Sequence, residues 1–229
     1  MFRLGLCLVL SPLALLATDL TTILANMDRA EAQFQGMTAR VRMVAYTALV
    51  DDEYVREGDM TARRRTARGA SSAGVDLRIH FDTPMEKDLL VSGMKAEMYN
   101  PKIAIVEEYD LGDSRESVDK ALLSGFGVAG TYLAATYDIT MGGDEAIEGL
   151  QAMKLLMIPK DAELRGSTPK VEMWISTETW QPIQQKRYKS GDGDYELFRY
   201  TNVAINPAIK DSAFRLKLPS KVKRITPGR

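Results

Sequence analysis

The chain has 229 residues, with 30 Lys and Arg against 31 Asp and Glu, one His, one Cys and 45% hydrophobic residues. A formal charge of −1 leaves no cationic field to track phosphates, which argues against a nucleic-acid partner. One His and one Cys cannot build a multi-ligand zinc site or an internal disulfide, and the length suits one large β-domain.

Arg3 is followed by the apolar run Leu4 to Leu10, then Ser11-Pro12 and Leu13 to Ala17. This is the layout of a secretory signal peptide, too short and too interrupted for the roughly 20 residues of a spanning helix. Cleavage is expected after Ala17, leaving 18–229 as a single secreted domain without cysteine. Too few residues precede Cys7 for it to be a lipidation site.

From Asp19 onward Leu20, Ile23, Leu24, Met27, Ala30 and Phe34 recur at helical steps, with Asp19 or Thr18 to cap and Gly36 to stop. The period then becomes two, and a β-favouring run extends from Val41 to Val50 before the polar turn Asp51-Asp52-Glu53. Val75 to Asp82 is the clearest strand: Val75, Leu77, Ile79 and Phe81 face one way, Asp76, Arg78, His80 and Asp82 the other. Further short β-runs follow at 89–91, 96–99, 103–109, 137–141, 153–158, 171–175, 183–189, 195–205 and 214–218. Turn signals such as Asn100-Pro101, Gly142-Gly143-Asp144 and Gly191-Asp192-Gly193 separate them. Without long helices between the strands, the rhythm predicts an antiparallel meander rather than βαβ units.

One stretch breaks that pattern. Asp113 with Glu116 forms an acidic variant of the capping box, and Val118, Ala121, Leu122 and Phe126 then fall at helical spacing. A second short helix places Ala129, Tyr132, Leu133 and Thr136 together. Gly125, Gly127 and Gly130 lie between and within them, and suit either a hinge or a tight helix–helix corner.

Signals for chemistry are sparse. His80 has no motif around it and sits in the polar set of its strand, where a hydrogen-bonded strand histidine is the simpler reading. The acidic groups Asp51-Asp52-Glu53, Glu107-Glu108 and Asp144-Glu145 lack the spacing of a calcium loop. No phosphate loop, dinucleotide fingerprint or nucleophile elbow occurs, so neither a cofactor nor an enzyme activity is expected. Arg63-Arg64-Arg65 with Arg68 can grip a phosphate or head group, can donate to carbonyls of a moving element, or can form a solvated strand end. Lys217, Lys221, Lys223, Arg224 and Arg229 read as a solubilising tail. Twelve methionines, half of them on β-runs, suit either an adaptable apolar surface or ordinary core filling.

Several stretches resemble the LolA-like periplasmic carriers of outer-membrane lipoproteins. They are Met98-Tyr99-Asn100-Pro101-Lys102, Gly149 through Leu155 to Asp161, Trp174 with Trp180-Gln181-Pro182, Tyr200 to Pro207, and Phe214 to Pro219. The resemblance implies a mainly β (α+β) fold: a curved antiparallel sheet forming an incomplete β-barrel, covered by the N-terminal helix and a short helical lid. It implies a monomeric carrier of acylated lipoproteins or lipids that receives cargo from an inner-membrane transporter and delivers it to an outer-membrane acceptor. Relatives on this fold carry lipids or glycolipids, or sense ligands and partners. In the family an early-strand arginine latches the lid; after Gly58-Asp59-Met60 the matching positions here are Arg64 or Arg65, without the usual neighbouring proline and with added residues from Ala67 to Gly74. Leu122, Phe126, Tyr132 and Leu133 are the expected apolar face of the lid, with Gly125, Gly127 and Gly130 as its hinges. Leu77, Ile79, Phe81, Met98, Met157 and Met173 are the expected cavity lining.

Overall fold

The computed structural model describes residues 19–65, 74–191 and 193–227. The segment expected to be a signal peptide, Arg68, Arg229 and most of the added 67–74 stretch lie outside the described residues.

Helix α1 (Leu20–Gln33) starts where Asp19 accepts the Thr22 N–H at 2.7 Å. It buries Ile23 and Met27. A first meander follows: β1 (Gly36–Thr47), β2 (Asp52–Arg64), β3 (Val75–Thr83), β4 (Lys87–Ser92), β5 (Lys95–Asn100) and β6 (Ile105–Asp110). The chain then forms α2 (Arg115–Leu123) and α3 (Gly130–Thr136). A second meander comprises β7 (Tyr137–Ile147), β8 (Leu150–Pro159), β9 (Lys170–Ser176), β10 (Pro182–Tyr188) and β11 (Tyr195–Ile205), with the short α4 (Ala162–Ser167) between β8 and β9.

Antiparallel pairing of β1 with β11 fuses the two meanders into one open sheet, ordered β12-β6-β5-β4-β3-β2-β1-β11-β10-β9-β8-β7, where β12 is Lys223–Ile225. The link from β6 to β7 must therefore travel from one side of the sheet to the other. It carries α2 and α3 across the inner face, which gives the incomplete barrel its cover.

Register sorts the two faces. Met37, Ala62, Leu77 and Val91 form one cross-strand row, and Ala39, Met60, Ile79 and Leu89 the next. Both rows belong to the core. The alternate positions carry the outer face, where Arg40 pairs with Asp82, Arg42 with Glu57 and Arg78 with Asp88.

Five expectations need correction. The run to Val50 ends at Thr47, because the Ala48 N–H turns to the Asp194 carboxylate at 2.8 Å and Ala48–Val50 forms a 3-10 turn. Gly142-Gly143-Asp144 is a bulge inside β7 rather than a turn; Gly143 takes φ +94, and the reversal comes at Glu148 and Gly149. Asp113 and Glu116 do not form a capping box: Ser114 is the N-cap without a side-chain bond, and Glu116 pairs with Lys120 at 2.7 Å. Phe214 to Leu218 is not a strand. Asp211–Phe214 is a 3-10 turn that straps the outer face, with Arg63 bound to Asp211 at 2.6 Å and stacked over Phe214. The basic tail then returns as β12, parallel to β6, so the sheet is not purely antiparallel.

Candidate functional site

The inner face holds two apolar clusters, and the connection between β6 and β7 touches both. In the first, Leu77, Ile79 and Phe81 meet Phe34 from the end of α1, Phe126, and the half-buried Val118, Leu122 and Leu123 of α2. In the second, Met157 and Met173 pack with Ile23 and Met27 of α1, Val128 and Leu133. Five of the six predicted lining residues thus lie under the helices. Met98 shares the inner-face row of Leu89 and Ile79 but is half-buried at the rim and belongs to neither cluster.

Lid residues divide by depth. Leu133 is 1% exposed and anchors α3, whereas Tyr132 is 41% exposed and faces solvent. Adjacent helical positions point about 100° apart, so both cannot face the sheet. The glycines have distinct duties. A Cβ on Gly130 would lie 2.2 Å from the Leu24 carbonyl oxygen, so this position is the tight α1–α3 crossing. Gly127 has φ +67 and sits against the Phe34 ring, while its N–H donates to Gln181 Oε1 at 2.9 Å. Gly125 packs beside the Tyr200 hydroxyl.

The fasteners are polar. Arg64 binds Glu31 of α1 at 2.5 Å and lies over the Phe34 ring. Arg65 reaches Asp119 of α2 at 3.7 Å and Asp76 at 3.5 Å. A stronger attachment, absent from the sequence-level expectations, comes from α2 itself. Because β4 is shorter than β3, Val75 runs past the last rung of their ladder. Its N–H donates to Asp119 Oδ1 at 2.9 Å, and its carbonyl accepts from Arg115 Nη2. Arg115 and Asp119 also bind each other, with Nε to Oδ2 at 3.0 Å and Nη2 to Oδ1 at 2.6 Å. The pair is almost wholly buried, 6% and 8% exposed, and serves as a side-chain substitute for a missing strand. On the other half of the sheet, Arg187 Nη2 donates to Ser124 Oγ at 3.1 Å.

With the helices in this position the inner face is filled by the protein's own side chains. At the helices lies an apolar opening, a cavity of ≈ 170 Å³ lined by Leu123, Val128, Ala129 and Tyr132, with Glu31 and Lys120 at its sides. This is below the roughly 300–1,000 Å³ of ordinary ligand pockets. Burial also marks Tyr200, whose phenol is pushed up to about 12 by desolvation. The neutral phenol is the form the fold favours, so this contribution is complete below pH 10, the ordinary tyrosine value, and fades as pH rises towards 12. An absorbance titration of the nine tyrosines is expected to show Tyr200 ionising last, together with unfolding. Its ionisation in step with exposed tyrosines would contradict burial under the helices.

His80 lies on the outer face, its Nδ1 3.3 Å from Asp88 Oδ1, which also accepts from Arg78 Nη2 at 2.7 Å. The acidic pairs are engaged elsewhere: Glu145 accepts from Trp174 Nε1 at 2.7 Å, and Glu108 binds Arg224. Among the described residues, no group of three or more His, Cys, Asp or Glu is placed to hold a metal ion. Nor is any described helix long and apolar enough to cross a membrane.

No family model and no curated protein matches the sequence. Solved structures do match. An uncharacterized conserved protein from Thermus thermophilus aligns over 90% of this chain and 98% of its own, at 10% identity and TM-score 0.53. MucB aligns over 86% of this chain at 14% identity and TM-score 0.52, and the chain spans 62% of its length. The lipoprotein LppX of Mycobacterium tuberculosis aligns over 83% of this chain and 98% of its own, at 12% identity and TM-score 0.50. At identities this low the likeness is one of fold alone, and the fold, seen here as an open sheet around α1 with α2 and α3 crossing between its two sides, is the LolA-like fold.

Proposed function

We propose that the chain is a periplasmic carrier that shields the acyl chains of lipoproteins between the inner and outer membranes. The observation that carries this reading is an apolar inner sheet face, in two clusters, covered by a short helical connection. Val118, Leu122, Leu123 and Phe126 lie on that face, while a few polar contacts hold α2 and its loop in place. Lifting α2 would uncover Leu77, Ile79 and Phe81, and an acyl chain would replace the contacts of the helix. Each methylene buried is worth about 0.8 kcal/mol, so one chain offsets the loss of several half-buried side chains. Arg64, the last residue of β2, and Arg65 just after it brace the region, on α1 and α2 respectively. The cargo arrives from an inner-membrane transporter and leaves to an outer-membrane acceptor that covers the acyl chain better. No bond is made or broken.

Leu122→Asp tests this. Leu122 is half-buried against the first cluster, so the charge is expected to lower the unfolding free energy by about 1–3 kcal/mol and leave the domain folded. Binding of a fluorescent acyl probe should fall at least tenfold. Unchanged probe binding by a folded variant would remove α2 from the site.

The filled inner face favours a second reading, an envelope domain that binds a protein partner and keeps its own side chains in the cavity. Mass spectrometry of apolar extracts from protein purified without detergent separates the two. Acylated peptides support the carrier, phospholipid or glycolipid changes the cargo, and an empty protein that also refuses added acyl probes favours partner binding.

A further inference from the structure

The open sheet has two edges, and they are treated differently. One is closed by the chain's own tail. Lys223–Ile225 pairs in parallel with β6, the Lys223 N–H donates to the Ala104 carbonyl at 2.9 Å, and Arg224 reaches Glu97 at 2.7 Å and Glu108 beside it. An extended cationic segment here completes an acidic edge. The opposite edge, β7, has no strand on its outer side among the described residues.

Its first half is well formed for pairing. The Lys160 N–H donates to the Thr136 carbonyl at 2.9 Å, which fixes the phase of the antiparallel ladder with β8. Thr136, Asp138 and Thr140 direct their main-chain groups to β8, and Ile139 and Met141 direct theirs outwards. The Ile139 and Met141 side chains share the inner face, Ile139 against the second apolar cluster and Met141 39% exposed. From Tyr137 to Leu150 the strand and its turn carry Asp138, Asp144, Glu145 and Glu148, with no lysine or arginine. Glu145 and Glu148 are bound within the fold, by Trp174 and Arg199. Asp138 and Asp144 are exposed.

We propose that Tyr137–Met141 is a docking edge for the polypeptide that trails from an acylated cargo, an extended segment of net positive charge added beside β7. Because it concerns the polypeptide part of the cargo, it rests on the carrier reading. The edge begins where α3 ends, so a chain anchored by its acyl group under the helices emerges beside it. Main-chain bonds to Ile139 and Met141 supply sequence-tolerant affinity, alternate apolar side chains of the segment extend the inner face over Ile139 and Met141, and Asp138 and Asp144 select for lysine or arginine. The tail on β6 uses the same recognition within the molecule.

The test compares three probes on the whole protein: palmitate, a palmitoylated peptide with a lysine-bearing linker, and its counterpart with glutamates for the lysines. The lysine peptide should bind about tenfold tighter than the glutamate peptide, and Met141→Pro, which removes one outward donor at an exposed position outside both clusters and blocks the edge, should abolish that advantage without changing palmitate binding. Asp138→Lys with Asp144→Lys, both at exposed positions, should do the same by charge, which covers the case in which the proline variant does not fold. Palmitate binding with no preference between the peptides would overturn the docking edge and leave the carrier intact. If wild type binds no palmitate, the carrier reading fails, and the unacylated lysine peptide then decides: binding that Met141→Pro removes retains the edge, and no binding ends it.

Discussion

Asp119→Ala is expected to free α2 from the sheet while most of the fold stays intact. The substitution leaves the Val75 N–H without its acceptor and strands the buried Arg115 guanidinium beside a single carbonyl. Breaking one partner out of a buried, hydrogen-bonded ion pair costs about 3–5 kcal/mol. Hydrogen exchange is the direct measurement. Amides of 115–123 and of Val75 should lose most of their protection, those of β8 and β9 little, and acyl-probe uptake should become faster. Uniform loss of protection would mean that α2 opens only with the whole domain, which would remove the basis for a detachable cover. The cycle with Arg115→Ala adds a check: the double variant should recover part of the loss, because no uncompensated charge remains buried.

Leu133→Ala should have an effect of similar size for the opposite reason. Leu133 is 1% exposed and fixes α3 against Ile23, Met27, Met157 and Met173. Truncating such a side chain costs about 2–5 kcal/mol, the spread reflecting how far the cavity collapses. The loss should appear as a lower urea midpoint at unchanged slope, because α1 and α3 stay docked on a loosened core. A cost below about 1 kcal/mol would show that the second cluster is not close-packed around α3. Together the two variants divide the connection between β6 and β7 into a part that opens, α2, and a part that anchors, α3.

Much of this arrangement was readable in the residues, and the failures have definite causes. The alternation of Val75, Leu77, Ile79 and Phe81 fixes the buried face of β3 because a strand repeats every two residues. Asp19 announces α1, and the helical spacing around Leu122 and Leu133 places α2 and α3. The Arg115–Asp119 clasp was hidden: four residues apart on a helix, such a pair looks like a solvent-exposed ion pair. Its burial follows from the unequal lengths of β3 and β4, which no local window contains. Arg187 was missed likewise, since its contact with Ser124 spans the molecule. Gly142-Gly143 suggests a turn because glycine permits both a reversal and a bulge, and the pairing of β7 with β8 decides between them. The basic residues around Lys223 look like a solubilising tail until the acidic row Glu97 and Glu108 supplies their partner.

The β1–β11 seam has a consequence for how the molecule is made. Met37 pairs with Ile205 and Tyr46 with Tyr195, so the strand nearest the N-terminus waits for the last strand of the second meander. Each meander can form from near neighbours as it emerges, but the seam closes only after nearly the whole chain is available. Topologies dominated by such distant pairings fold slowly, on the order of milliseconds to seconds. Throughout that interval β1 presents an unpaired edge flanked by Met37, Val41 and Met43 to every other chain nearby. An unpaired apolar edge is the surface through which incompletely folded chains associate, so β1 is where this chain is most exposed to aggregation until the seam closes.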